Sequence, residues 1–188
     1  MPFELLETRL EGPLLLAPRA FPDARGFFME TYRRSEYAEL GIPEEFVQDN
    51  HSRSGRGVVR GMHFQLGEGI SKLVRCARGA IVDVLVDIRR GSPTWAQWEA
   101  FALSDENRHV LYAPVGFAHG FCVLSDVADV VYRQSGYYSE LESGFAWDDP
   151  EVAIEWPLPR AELQVSARDG AAPALAAMAQ ELPFRYAG

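Results

Sequence analysis

The chain has 188 residues, with 18 Lys and Arg against 27 Asp and Glu, a net charge of −9. That balance argues against a nucleic-acid groove or an anionic membrane surface as partner, since both need clustered cations. Hydrophobic content of 47% with 12% aromatics excludes a mostly disordered chain, and a chain of this length, read as one domain over 1–188, buries roughly 70% of its unfolded surface.

In chain order, residues 1–10 carry acidic side chains and no basic stretch ahead of an apolar one. No apolar run reaches about 18 residues. A soluble, cytoplasmic protein with no segment to remove is therefore expected. Segment 35–40 reads as a short helix, stopped by Gly41 and Pro43. Residues 48–65, QDNHSRSGRGVVRGMHFQ, read as strand, turn and strand. Short strand-like runs follow at 73–77, 80–89, 95–103, 109–113, 117–124 and 127–134. Turn signals separate them: Gly79, Gly91-Ser92-Pro93, Ser104-Asp105, Pro114-Val115-Gly116 and Ser125-Asp126. Evenly spaced short strands of this kind predict an all-β sandwich or barrel. The run AIVDVLVDIR at 80–89 suits a strand buried on both faces. Residues from about 157 onward read as a wrapping tail. A helix is expected over 173–182, with Leu175, Met178 and Leu182 on one stripe. Cys76 and Cys122 lie in apolar runs, as buried free thiols would.

Chemistry concentrates in a few places. Segment 48–65 holds Gln48, Asn50, Arg60, His63 and Gln65. Under strict alternation Val59, Gly61, His63 and Gln65 share one face and Arg60 the other. A site using both Arg60 and His63 therefore needs a bulge at Gly61, or Arg60 at the mouth of the strand. In PVGFAHGF, Phe117, His119 and Phe121 share a face, so two histidines on separate strands point to an interior site. Metal-binding barrels of the cupin type often use H-x-H with a later P-x-G-x-x-H. Here Pro114, Gly116 and His119 supply the second piece. Gln65 spoils the first by placing an amide, a poor ligand, where an imidazole is needed. No metal site is expected.

Tyr132 shares its parity with Val130 and Gln134, as a core tyrosine or as a proton donor facing an interior ligand. Asp169, in Ser166-Ala167-Arg168-Asp169, reads alone as a loop or N-cap residue. Of the 18 cations, 17 are Arg and one is Lys72. An ammonium is a compact charge whose pKa moves on burial, whereas guanidinium is planar and always protonated. Lys72 can thus stabilise an oxyanion at close range.

These residues stand within an ordered series of motifs. They are Asp23-x-Arg25-Gly26-x-Phe28-x-Glu30, Gln48-x-Asn50-x-Ser52-x-Ser54-x-x-Gly57-x-x-Arg60-Gly61-x-His63-x-Gln65 and Lys72-Leu73-Val74. Asp83-x-x-x-Asp87-Ile88-Arg89-x-Gly91-Ser92-Pro93-Thr94, Gly116-Phe117-Ala118-His119-Gly120-Phe121, Tyr137-Tyr138, Trp147-x-Asp149-Pro150 and Trp156-Pro157 follow. Over residues 3 to 175 the chain resembles the dTDP-4-dehydrorhamnose 3,5-epimerase family. The resemblance implies a cupin-type jelly-roll homodimer acting on a dTDP-4-dehydro-6-deoxyhexose, with no metal and no cofactor. It implies that His63 is a base paired with Asp169, that Tyr132 is the opposing acid and that Lys72 lies at the 4-oxygen. It places Arg60 and His119 around the sugar or diphosphate, with Glu142 also at the substrate. Arg25, Glu30, Gln48 and Asn50 would hold the nucleotide, and Phe27 and Tyr138 would stack on thymine. Two features depart from the family pattern. Arg168 stands where a lysine is usual, which still suits a diphosphate, and the approach to Lys72, LGEGIS at 66–71, lacks the usual proline. Two alternatives remain at this point: a mono-epimerase acting on one carbon, and a non-catalytic nucleotide-sugar-binding cupin.

Overall fold

In the computed structural model, which describes residues 3–187, thirteen strands form two large antiparallel sheets and one hairpin. In chain order they are β1 (Phe3–Leu6), β2 (Leu14–Pro18), β3 (Ala20–Asp23), β4 (Gly26–Met29), β5 (Gln48–Gly55), β6 (Val59–Gln65) and β7 (Lys72–Arg78). Then come β8 (Ala80–Asp87), β9 (Trp98–Ser104), β10 (Val110–Ala113), β11 (Phe117–Val123), β12 (Val127–Gln134) and β13 (Glu142–Gly144). One sheet has the order β1-β2-β10-β7-β12-β5, the other β13-β6-β11-β8-β9, and β3 pairs only with β4. Three short helices complete the fold: α1 (Arg34–Glu39), α2 (Ala167–Gly170) and α3 (Leu175–Met178).

The core lies between the large sheets. Val74, Leu111 and Val130 of the first pack against Leu85, Leu103, Phe121 and Val123 of the second. The outer faces are covered as well. Tyr37 and Ile42 pack with Leu16, Leu73 and Tyr112 on one side. On the other, Phe145, Leu175, Leu182 and Phe184 pack with Met62, Val84 and Val86. Covered on both sides, β8 and β11 lose the polar alternation of a half-exposed strand.

Several quoted motifs turn out to be staples. Burial alone would raise the Asp87 carboxyl, but hydrogen bonds donated by Arg89, Ser92 and Thr94 hold it below the usual range. Asp149 accepts the N–H of Leu175 at 2.7 Å, and the Trp156 indole donates to the Trp147 carbonyl at 2.9 Å. Together these fasten the tail. Gln164 then pairs with the backbone of Gly57 and Val59. Gly57 has φ +80°, and a Cβ there would lie 2.1 Å from the Glu162 carbonyl oxygen, so only glycine lets the tail approach.

The sequence expectation needs correcting in three places. Strands β1 to β4 carry no clear strand pattern in the sequence, because they are four or five residues long and broken by Pro13, Pro18 and Pro22. The strand expected from residue 95 starts at Trp98. The helix expected over 173–182 is one turn, Leu175–Met178. Leu182 and Phe184 are still buried, but from an extended segment bonded to the backbone of Arg90. A ten-residue helix is marginal by itself, and this pairing outcompetes it.

Candidate active site

Between the sheets, beyond the apolar core, lies a cavity of about 530 Å³ whose lining includes Arg60, His63, Lys72, His119, Tyr132, Glu142, Arg168 and Asp169. Each residue arrives for a local reason. On β11, Phe117, His119 and Phe121 share the inward face; on β12, Val130, Tyr132 and Gln134 do the same; Lys72 shares its side of β7 with the core residue Val74.

The conflict between Arg60 and His63 resolves through a bulge. His63 pairs with His119 and Arg60 with Phe121, so three steps on β6 answer two on β11. The extra residue turns Arg60 and His63 into the same cavity. Gly61 carries the bulge at φ +134°, and a Cβ there would lie 2.6 Å from the Gly120 Cα. The Arg60 guanidinium donates to Ser54 Oγ at 3.0 and 3.1 Å.

Asp169 comes from the tail. Ser166 caps α2 by accepting the Asp169 N–H at 3.0 Å, which turns the Asp169 side chain inward. There Oδ1 lies 2.8 Å from His63 Nε2. A carboxylate only accepts, so the N–H stands on Nε2 and leaves Nδ1 with a free lone pair. Burial pushes the imidazole below its ordinary value, against the opposing pull of Asp169. His63 is thus neutral near pH 7 and able to take a proton.

From the facing sheet, burial raises the Tyr132 phenol, with Glu142 adding and Arg60 opposing. The phenol therefore keeps its proton. The Lys72 ammonium lies 5.9 Å from the Tyr132 ring centroid. No carboxylate lies within 4.0 Å of it among the described residues, and burial pulls its pKa below the ordinary value. Arg168 forms an ion pair with Glu142 at 2.6 Å.

The other expected residues divide into two groups. Gln48 and Asn50 donate to the Gln134 carboxamide at 3.0 and 2.9 Å, and Gln48 accepts the Tyr138 N–H at 2.9 Å. This amide ladder joins the cavity wall to the exposed Tyr138. Arg25, Phe27 and Glu30, by contrast, do not reach the cavity within the chain. Arg25 pairs with Asp23, Glu30 with Arg33, and Phe27 lies under the Arg108 guanidinium at 4.4 Å. Sequence reading missed Gln134 and Asp83 as site residues. Gln134 shares Tyr132's parity, and Asp83 interrupts an Ile/Val run at mid-strand, so both carried a signal. Gln65, at the spoiled ligand position, donates its amide to Ser139 Oγ.

Fold and site together define a cupin-type jelly roll whose interior is arranged for proton transfer. The family model for dTDP-4-dehydrorhamnose 3,5-epimerase matches residues 7–177. A protein of that name from Salmonella typhimurium is 47% identical over 174 residues, 91% of this chain and 94% of that one. A dTDP-6-deoxy-D-glucose-3,5-epimerase of Legionella pneumophila, solved with dTDP-4-keto-L-rhamnose, matches with a TM-score of 0.95 at 43% identity. It covers 99% of this chain and 100% of that one. A dTDP-4-dehydrorhamnose 3-epimerase of Streptomyces niveus is 44% identical over 151 residues, 79% of this chain and 73% of that one. The chain belongs to the dTDP-4-dehydrorhamnose 3,5-epimerase family.

Proposed function

We propose that this protein is an isomerase that inverts C3 and C5 of dTDP-4-dehydro-6-deoxy-D-glucose, giving dTDP-4-dehydro-L-rhamnose. The observation that carries the mechanism is the placement of the His63–Asp169 pair and Tyr132 on facing sheets over one cavity, with Lys72 beside Tyr132. The 4-keto group acidifies the protons on C3 and C5. His63 Nδ1 removes one, and the C–H electron pair moves into an enolate with its charge on the 4-oxygen. Lys72 stabilises that charge. Tyr132 then delivers its proton to the opposite face of the carbon; His63 gives up the proton it took to water, Tyr132 recovers one from water, and the same steps invert the second carbon. Asp169 holds the His63 tautomer and stabilises the imidazolium. His119 and Arg60 bind the sugar and diphosphate side, and Glu142 and Arg168 hold the rim.

Incubation with the substrate in D2O tests the reading, with deuterium located by NMR. Label at both C3 and C5 is expected. Label at one carbon would show a mono-epimerase, and none would show a binding protein.

The working form is a homodimer in the cytoplasm, where the two unpaired thiols stay reduced. Support for the dimer comes from the β3–β4 hairpin, which pairs with neither large sheet and exposes Phe21, Phe27 and Phe28. Its Arg25, Phe27 and Glu30 then complete the nucleotide site of the neighbouring protomer, with Gln48, Asn50 and Tyr138 supplied in cis. Sedimentation equilibrium should give twice the chain mass of 21.0 kDa. Arg25→Ala mixed with His63→Asn should yield heterodimers with one intact site and regained activity. A monomeric active enzyme would refute this arrangement.

A further inference from the structure

Asp83 lies in the middle of β8, flanked on both sides by Ile, Val and Leu, with a second aspartate, Asp87, only at the strand's end. Its parity with Ile81 and Leu85 turns it inward, and it is 0% exposed. Oδ2 lies 2.9 Å from His119 Nε2, while Oδ1 is buried with no hydrogen-bond partner among the described residues. A valine would fill this position at no electrostatic cost. A buried carboxylate with an unsatisfied oxygen is an expensive substitute, which stability alone does not explain.

We infer that Asp83 is a positioning residue of this site: acting through His119 and Lys72, it sets which imidazole nitrogen faces the cavity and keeps a cation beside the 4-oxygen. The inference rests on the reaction proposed above.

The first half follows from hydrogen-bond roles. The carboxylate only accepts, so His119 carries its N–H on Nε2 and presents Nδ1 to the cavity as an acceptor. That suits a sugar hydroxyl and leaves the keto oxygen to Lys72.

The second half follows from charge. The groups around Lys72 are Glu142 on β13, Asp83 on β8, His63 on β6, His119 on β11, Tyr132 on β12 and Arg60 on β6. Burial drives the ammonium toward the neutral amine, and Glu142 and Asp83 oppose that. Glu142 is already paired with Arg168 at 2.6 Å. Asp83 has no Arg partner among the described residues, and its carboxyl stands above its ordinary value because burial outweighs the opposing pull of His119 and Lys72. Each of the two groups thus favours the other's charge against the effect of burial.

Asp83→Asn tests this with little change of volume. An amide can donate to His119 Nε2, which reverses the tautomer, and it no longer supports the ammonium. kcat should fall about a hundredfold while KM stays within about threefold. The alkaline limb of kcat should move to lower pH, because Lys72 then loses its proton earlier. In the wild type, 15N NMR of His119 should show the Nε2–H tautomer. Wild-type kcat and an unmoved alkaline limb in Asp83→Asn would overturn the inference. So would an Nδ1–H tautomer at His119 in the wild type, a measurement that stands even where the variant does not fold. A wild type that exchanges no deuterium refutes the proposed reaction and this inference together. An active wild type with an unaffected Asp83→Asn refutes the inference alone.

Discussion

Asn in place of His63 is expected to abolish deuterium exchange at both C3 and C5 and to lower kcat/KM by about a thousandfold or more. The amide keeps a hydrogen bond toward Asp169 but has no lone pair basic enough to take a carbon-bound proton. Substrate binding should change little, because the sugar nucleotide is held by other side chains. Exchange is the sharper readout, since it reports proton removal even where inversion does not follow. A His63→Asn enzyme that still exchanges would remove His63 from the role of base. The wild-type pH profile carries a second check. Burial holds the imidazole below its ordinary value of 6.5, against the pull of Asp169, so the acid limb of kcat/KM should lie below that value. Asp169→Asn removes the upward pull, and its acid limb should move lower still as the rate falls through loss of orientation. An acid limb that moves upward would contradict the assignment.

The second large effect is expected at Lys72. Lys72→Arg keeps a positive charge yet should lower kcat about a hundredfold or more, with KM within about threefold. The charge to be stabilised sits on one oxygen and develops only as the proton leaves. A compact ammonium can approach that oxygen directly, whereas a planar guanidinium spreads its charge and needs more room beside Tyr132. The pH profile separates this from simple crowding. Burial pulls the Lys72 ammonium below its ordinary value, so the wild type should lose activity on the alkaline side as the amine forms. Guanidinium does not deprotonate there, so the residual activity of Lys72→Arg should persist to higher pH. A fully active variant would show that any cation suffices. A residual activity with the wild-type alkaline limb would show that another group sets it.

Much of the site was legible because its strands alternate. Phe117, His119 and Phe121, and Val130, Tyr132 and Gln134, could be placed on inward faces from period two alone. The lone Lys72 stood out by counting, and it lines the cavity with no carboxylate within 4.0 Å among the described residues. Asp169 was legible only by resemblance. Within the sequence it is a loop acid 106 positions from His63, and nothing local aims it there. Arg60 was the reverse case, since its motif was clear while alternation pointed it to the wrong face.

The composition, the period-two pattern and the turn residues were enough to indicate an all-β sandwich or barrel of short strands, with two histidines pointing to an interior site. Those are local properties, set by which side chains avoid water and where the backbone can turn. Three things were decided only by tertiary contact. The bulge at Gly61 depends on how β6 registers against β11. The Asp169 carboxylate reaches His63 because Gly57, Trp147 and Asp149 fasten the tail across the sheet. The hairpin carrying Arg25 and Phe27 stands away from its own cavity because its pairing is confined to itself. In the first two cases the deciding contact joins residues far apart in the chain, whose spacing leaves no periodic trace in the sequence; in the third the pairing is local, and what it leaves unpaired is visible only in three dimensions.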